Sequence, residues 1–338
     1  RHAGVTRLVR GDQQWRVTGD PLQHLDDLLA GFGAVASDPE LPFVGGAVGC
    51  FAYDFGRRLV GGVVRKRELT LPEVAIGIYE CAIVTDHLQR YSVAVGKSLD
   101  QDWLAAVRGR LTEPSNDASF GGGEHANEPF RLDSEVQVEP GDEEYAESFR
   151  RVQEYLYAGD CYQVNLARRF SAAFTGDPQS AYLALRESSP APFSAWLRWP
   201  HADILSFSPE RFLSVDSERR VVTEPIKGTR PRGDDVAQDE QLSSELSYSA
   251  KDRAENVMIV DLLRNDLGKG CRTGSVNVKE LCQTYSYSSV HHLVSRITGE
   301  LRDGYGPTAL LRDCLPGGSI TGAPKRRAME IIDELEPE

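Results

Sequence analysis

Residues 204–215 read Ile-Leu-Ser-Phe-Ser-Pro-Glu-Arg-Phe-Leu-Ser-Val. Two short apolar runs, Ile204–Ser208 and Phe212–Val215, have the length and composition of strands. Pro209 has no N–H to give to a ladder, so it divides the runs and leaves Glu210 at a bend. Working upstream, Phe193–Trp199 and Tyr162–Phe170 also read as strands. Working downstream, the pattern turns helical from about Ala250 to Asn265 and again from Pro324, a favoured first helical residue. Ala328, Ile331, Ile332 and Leu335 give that last helix an apolar stripe. A further helix is expected after Asp142, Glu143 and Glu144, carboxylates that suit a helix N-terminus. Tyr145, Phe149, Val152 and Leu156 recur at helical spacing along it, and Gly159 ends it. Strands and helices that do not alternate regularly predict an α+β fold rather than a doubly wound one.

The outer parts of the chain set the domain plan. Residues 1–112 read as strands and turns with one or two helices. Within them Phe43–Tyr53 is apolar and Gly-rich, as a buried strand with close backbone neighbours would be, and Leu71–Val84 is a second strand candidate. Residues 113–129 are polar, Gly-rich and carry two prolines, which predicts an exposed linker. Residues 130–338 then form the larger domain, with the motifs that carry chemistry.

The 338 residues include 38 Lys plus Arg and 51 Asp plus Glu, a net charge of −13. Such a surface disfavours nucleic acid and anionic membranes as partners, although a local basic pocket can still take a small anion. No apolar run reaches the roughly 20 residues of a membrane span. No signal peptide is visible at Arg1–Arg10. Cys50, Cys81, Cys161, Cys271, Cys282 and Cys314 contain no C-x-x-C pair, which points to free thiols in a reducing cytoplasm.

Several segments could carry chemistry. Pro225-Ile-Lys-Gly-Thr-Arg-Pro-Arg-Gly233 has a backbone fixed by two prolines and two glycines. A lysine there, Lys227, becomes a nucleophile if burial keeps it neutral; a solvated basic turn is the plainer alternative. Glu210 acts as a general acid if apolar surroundings raise its pKa; pairing with Arg211 or with water is the alternative. Asp252 and Glu255 share a helix face, and hard carboxylates suit Mg²⁺; so, equally, do surface pairs such as Lys251 with Glu255. The loop Gly317-Gly-Ser-Ile-Thr-Gly-Ala-Pro-Lys325 feeds a helix and could hold an anion on free amides. It lacks the Walker lysine, because Ala323 follows Gly322. His291 and His292 have no zinc-like partners at suitable spacing.

Taken together and in order, these blocks resemble the chorismate-utilising enzymes, among them anthranilate, aminodeoxychorismate, isochorismate and salicylate synthases. The resemblance spans Leu41–Glu338. It is carried by G-D-C-Y-Q-V-N-L (159–166), S-P-E-R-F (208–212), P-I-K-G-T (225–229), A-K-D-R-A-E-N-V-M-I-V-D-L-L-R-N-D-L-G (250–268), V-H-H-L-V-S (290–295) and P-G-G-S-I-T-G-A-P-K (316–325). It implies an anthranilate synthase component I-like fold, with antiparallel or mixed sheets in a sandwich flanked by helices.

Two positions select among the members. Gln163 stands where the water-using enzymes carry a lysine, which implies ammonia as nucleophile. Lys227 stands where anthranilate synthases usually carry alanine. The pair is the pattern of the enzymes that make 4-amino-4-deoxychorismate for p-aminobenzoate and folate biosynthesis.

The resemblance implies roles as well. Lys227 is the nucleophile, Glu210 the general acid and His292 an active-site histidine. Glu255 is a ligand of Mg²⁺, the implied cofactor. Gln163, Gly228, Thr229, Gly318, Ser319, Thr321 and Gly322 are substrate-contacting positions. Pro192, Phe193 and Ser194 match part of a tryptophan-like effector pocket. Chorismate is the implied substrate, and a separate glutamine amidotransferase subunit is the implied partner in a heterodimer. Relatives continue beyond the position matching Glu338 with further substrate and metal ligands, so a chain truncated at both ends and inactive alone is expected. An anthranilate synthase large subunit and a non-catalytic amidotransferase-docking paralogue are the alternative readings.

Overall fold

A computed structural model describes residues 5–33, 38, 40–61, 71–97, 99–112, 128–199 and 202–337. Most of the expected linker, residues 113–127, lies outside these residues. Two compact units separate, one within Arg1–Phe55 and Pro72–Ala118, the other within Gly56–Leu71 and Ser119–Glu338. Among the described residues no helix is long and apolar enough to cross a membrane.

The smaller unit is built from local pairings. Val5–Arg10 and Gln13–Thr18 form a hairpin whose turn uses Gly11 at φ +57°. The helix Pro21–Phe32 starts at Asp20, whose carboxylate accepts from Leu22 N at 3.1 Å, and has proline in its first turn. This is the N-cap chemistry that satisfies an otherwise orphaned amide. Gly46–Phe51 pairs antiparallel with Val74–Tyr79. A Cβ on Gly49 would meet Ala75 O at 2.0 Å, so the glycine permits the expected close approach. The strand itself is half-buried to exposed rather than buried. The single strand expected at Leu71–Val84 is two, Val74–Tyr79 and Cys81–Asp86, and the second pairs with Tyr91–Gly96. The helix Gln101–Thr112 follows.

The larger unit is organised by the strand Val290–Glu300. Its first half pairs with Ile226–Pro231, its second half with Arg220–Glu224, and its other edge with Asn277–Ser286. Arg211–Val215 extends the sheet beyond Arg220–Glu224. Each of these pairings is antiparallel, and so are the hairpin Phe193–Trp199 with Ala202–Ser208 and the short pair Gln163–Val164 with Gly322–Ala323. The fold class is α+β, as expected.

The helix Ala250–Gly270 runs longer than its expected end and packs against this sheet. Its buried residues Asn256, Ile259, Val260, Leu263 and Leu267 recur at helical spacing. With Val221, Ile297, Leu301 and Leu310, the four apolar ones form the main core. The helix Asp142–Ala158 ends as expected at Gly159, left-handed at φ +81°. Its Val152 packs with Cys161, Ile331 and Leu335 of the final helix, Lys325–Leu335. Phe149, expected on the apolar stripe, is instead exposed. The expected strand Tyr162–Phe170 is two short pieces, Gln163–Val164 and Arg169–Ser171, because the first joins Gly322–Ala323 and the second joins Gln137–Glu139.

Candidate active site

Segments distant in sequence meet at the start of the strand Ile226–Pro231. Glu210 sits in the bend between Ala202–Ser208 and Arg211–Val215, where its amide donates to Ser208 Oγ at 3.3 Å. Arg211 is not its partner. The Arg211 Nε donates to Glu224 Oε2 at 2.7 Å, and its guanidinium lies 4.9 Å from the centre of the Phe193 ring. Glu210 instead accepts from Ser319 Oγ at 2.6 Å. Burial pushes the Glu210 carboxyl above the usual carboxylate range. That effect outweighs the Ser319 hydroxyl, the Lys227 charge and the Ile226 amide, all of which favour the charged form.

Lys227 enters the same space from the strand Ile226–Pro231 and is half-buried. Its Nζ donates to the carbonyl of Ser319 at 3.4 Å. Among the described residues Glu210 and Lys227 make no direct ion pair; Ser319 contacts both. Beside Lys227, Gly228 is left-handed at φ +87°, and a Cβ there would come within 2.8 Å of Asp252 Cβ and 2.9 Å of Leu246 Cδ1. Glycine is therefore needed both for the backbone turn and for the approach of the long helix.

The two histidines separate because neighbours on a strand face opposite ways. His291 is buried and structural: Ser286 Oγ is 2.8 Å from its Nδ1, and Asp239 Oδ1 is 3.0 Å from its Nε2. His292 lies opposite Thr229 in the ladder, with Thr229 Oγ1 2.9 Å from His292 Nδ1. Burial holds the His292 imidazole below the ordinary histidine range, against a hydrogen bond to the Gly228 backbone. The strand that carries His292 is anchored from behind. Asn256 Nδ2 donates to Leu293 O at 3.0 Å, Ser295 Oγ donates to Asn256 Oδ1, and the Cys282 amide donates to Ser295 Oγ at 2.9 Å.

On the long helix, Asp252 is tied to Arg230 at 3.1 Å. Glu255, 40% exposed, has among the described residues only Lys251 as an ion-pair partner, at 3.9 Å. Among the described residues no three His, Cys, Asp or Glu side chains gather as a metal cage. Glu255 as a single carboxylate would suit an ion such as Mg²⁺, which keeps several waters and takes substrate oxygens.

The loop 317–322 is a single 3-10 turn, Gly318–Ile320, and then the short strand Gly322–Ala323. A Cβ on Gly318 would meet Leu262 Cδ2 at 2.5 Å, and one on Gly322 would meet Gln163 O at 2.1 Å. Thr321 is fully buried, and its hydroxyl donates to Gly317 O at 3.0 Å. The amides of Ile320 and Thr321 fold back on Gly317 and Gly318 carbonyls, so those two do not serve as a free anion cradle. Gln163, across from Ala323, has a buried Oε1 with no hydrogen-bond partner. A buried acceptor without a donor is costly.

Pro192, Phe193 and Ser194 stand at the start of the strand Phe193–Trp199. Ser194 Oγ donates to Ala191 O at 2.9 Å, and Phe193 pairs with Ser208 two residues before Glu210. A separate cavity of about 1010 Å³ is lined by Met258, Leu262, Asp266 and Lys325 among others, and by none of Glu210, Lys227 and His292. Its lysines are already engaged, Lys325 and Lys269 both on Asp266, at 2.5 and 2.9 Å. The Glu210–Ser319–Lys227 cluster is distinct from that cavity.

The Ser319–Glu210 bond links residues 109 positions apart, and no spacing in the sequence announces it. Asn256 was also legible only in part. It interrupts an apolar stripe at a buried position, which is the signature of a polar residue with an internal partner.

The chain matches the family described as chorismate binding enzyme over residues 3–338. It is 46% identical over 336 residues to aminodeoxychorismate synthase component 1 of Escherichia coli (strain K12), a match covering 98% of this chain and 71% of the relative. It is 47% identical over 306 residues to the protein of the same name from Salmonella typhimurium, covering 89% of this chain and 64% of the relative. Among solved structures it resembles anthranilate synthase component I of Streptococcus pneumoniae, with a TM-score of 0.81 at 26% identity over 100% of this chain and 76% of that one. The chain belongs to the chorismate binding enzyme family.

Proposed function

We propose that this protein aminates chorismate at C4, as component 1 of an aminodeoxychorismate synthase, for p-aminobenzoate and folate biosynthesis. The observation that carries the reading is one site holding a raised-pKa carboxyl, Glu210, beside a half-buried amine, Lys227. Relatives named aminodeoxychorismate synthase component 1 at 46% and 47% identity support it.

In the reaction, Lys227 Nζ adds to ring C2. The double bond shifts and the C4–oxygen bond breaks, with Glu210 giving its proton so that the hydroxyl leaves as water. Ammonia then attacks C4, the double bond returns and the C2–Nζ bond breaks. The proton released by the new amine restores Glu210, and Lys227 is free again. His292 is neutral at pH 7 and hydrogen-bonded to Thr229, so it lines the site as a dipole rather than a charge. The orphaned Gln163 Oε1 suits an N–H donor, substrate or ammonia. Glu255 would hold Mg²⁺, which when bound neutralises a substrate carboxylate.

Ammonia comes from glutamine through a separate amidotransferase subunit, in keeping with the component 1 names of the relatives. All six cysteines are free thiols, which supports a cytoplasmic setting. Pro192, Phe193 and Ser194 remain the proposed effector position. Ammonia-dependent turnover of chorismate separates the readings. The product expected is non-fluorescent aminodeoxychorismate; direct formation of fluorescent anthranilate would instead assign the anthranilate synthase reaction.

A further inference from the structure

We infer that Ser319 is a positioning residue that holds the acid and the nucleophile of this site apart and in register. The inference rests on the chorismate-amination reading above. A general acid must carry its proton, and an attacking amine must lack one. A carboxyl and an amine that touch directly settle as carboxylate and ammonium, the wrong form of both.

The geometry blocks that contact with one residue. The Ser319 hydroxyl donates to Glu210 Oε1 at 2.6 Å, while the Ser319 carbonyl accepts from Lys227 Nζ at 3.4 Å. Of the two neighbouring basic residues, Lys227 faces Glu210 and Arg211 is turned away to Glu224. The residue is fixed in turn by its own 3-10 turn, Gly318–Ile320, and by the approach of Leu262 to Gly318, which leaves no room for a side chain there. Side chain and main chain of one residue thus set where the proton is given and where the amine attacks from.

The test is made in the intact gene product with chorismate, Mg²⁺ and ammonium. Ser319→Ala removes the hydroxyl and keeps the carbonyl. Without that donor the carboxylate form of Glu210 is less favoured, so the alkaline limb of the kcat profile moves up by about one pH unit. At the same time kcat falls about tenfold, because the acid is no longer aimed. Ser319→Thr keeps a hydroxyl and brings the limb back toward wild type. Ser319→Cys, a weaker donor of similar size, gives a smaller shift in the same direction and serves if the alanine variant does not fold. A fall in kcat with an unmoved alkaline limb in both the alanine and cysteine variants would mean a merely structural role and overturn the inference, and so would an unchanged kcat. Lys227→Ala run alongside distinguishes the two levels: if it still aminates, the functional reading itself has failed, whatever Ser319 does.

Discussion

Thr229 and His292 face each other across two antiparallel strands, with the threonine hydroxyl 2.9 Å from Nδ1 of the imidazole. The contact engages Nδ1 and fixes the orientation of the ring. Replacing Thr229 with valine keeps the shape and removes the hydroxyl. A neutral hydrogen bond is worth about 1 kcal/mol, which predicts a fall in kcat/KM of roughly fivefold. Steady-state rates on chorismate with ammonium check this.

His292 also gives a pH signature. Burial lowers its pKa in the folded state, so the unfolded chain binds the proton more readily. Stability is therefore lost as pH falls from the unfolded value, about 6.5, toward the folded one. Two-dimensional NMR of the imidazole should show a midpoint below 6.5. In a His292→Gln variant, the loss of stability over that pH window should be smaller than in wild type.

Glu210 has the opposite sign. Its folded pKa is raised, so the buried carboxylate costs stability once pH rises through that value. Glu210→Gln should abolish the proton donation, with a loss of about 10²–10⁴ in kcat. It should also raise the melting temperature at pH 8, and this gain should disappear at pH 4, where both states of wild type are largely protonated. Paired rate and melting measurements at the two pH values check both effects.

Gly228 tests the backbone beside Lys227. Alanine there would sit at φ +87° with its Cβ 2.8 Å from Asp252. Strain and overlap together predict a loss of about 2–4 kcal/mol, seen as a lower denaturation midpoint. Rates should fall as well, because Lys227 is the preceding residue.

The sequence was most legible where the chemistry is local. The long helix was readable from Ala250 to about Asn265, where Ile259, Val260 and Leu263 recur on one face, though it runs on to Gly270, and Gly159 marked a helix end because only glycine adopts the left-handed cap cheaply. The bend at Glu210 was readable from Pro209. Contacts over long separations were not readable from pattern. Glu210 with Ser319 and Asn256 with Ser295 depend on how strands and helices stack, and either partner alone looks like an ordinary polar residue. Phe149 misled because helical spacing identifies a face without showing that anything covers it. The five-stranded sheet was equally hidden, since Val290–Glu300 takes three partners that the order of strands does not dictate.

The central claim, that Lys227 attacks the substrate ring, is tested most directly by intact-mass analysis of the protein quenched after incubation with chorismate and Mg²⁺ in the absence of ammonia. Wild type should gain the mass of chorismate less one water, and Lys227→Ala should gain nothing and fail to aminate. Undiminished amination by Lys227→Ala, or the same adduct on that variant, would contradict the account.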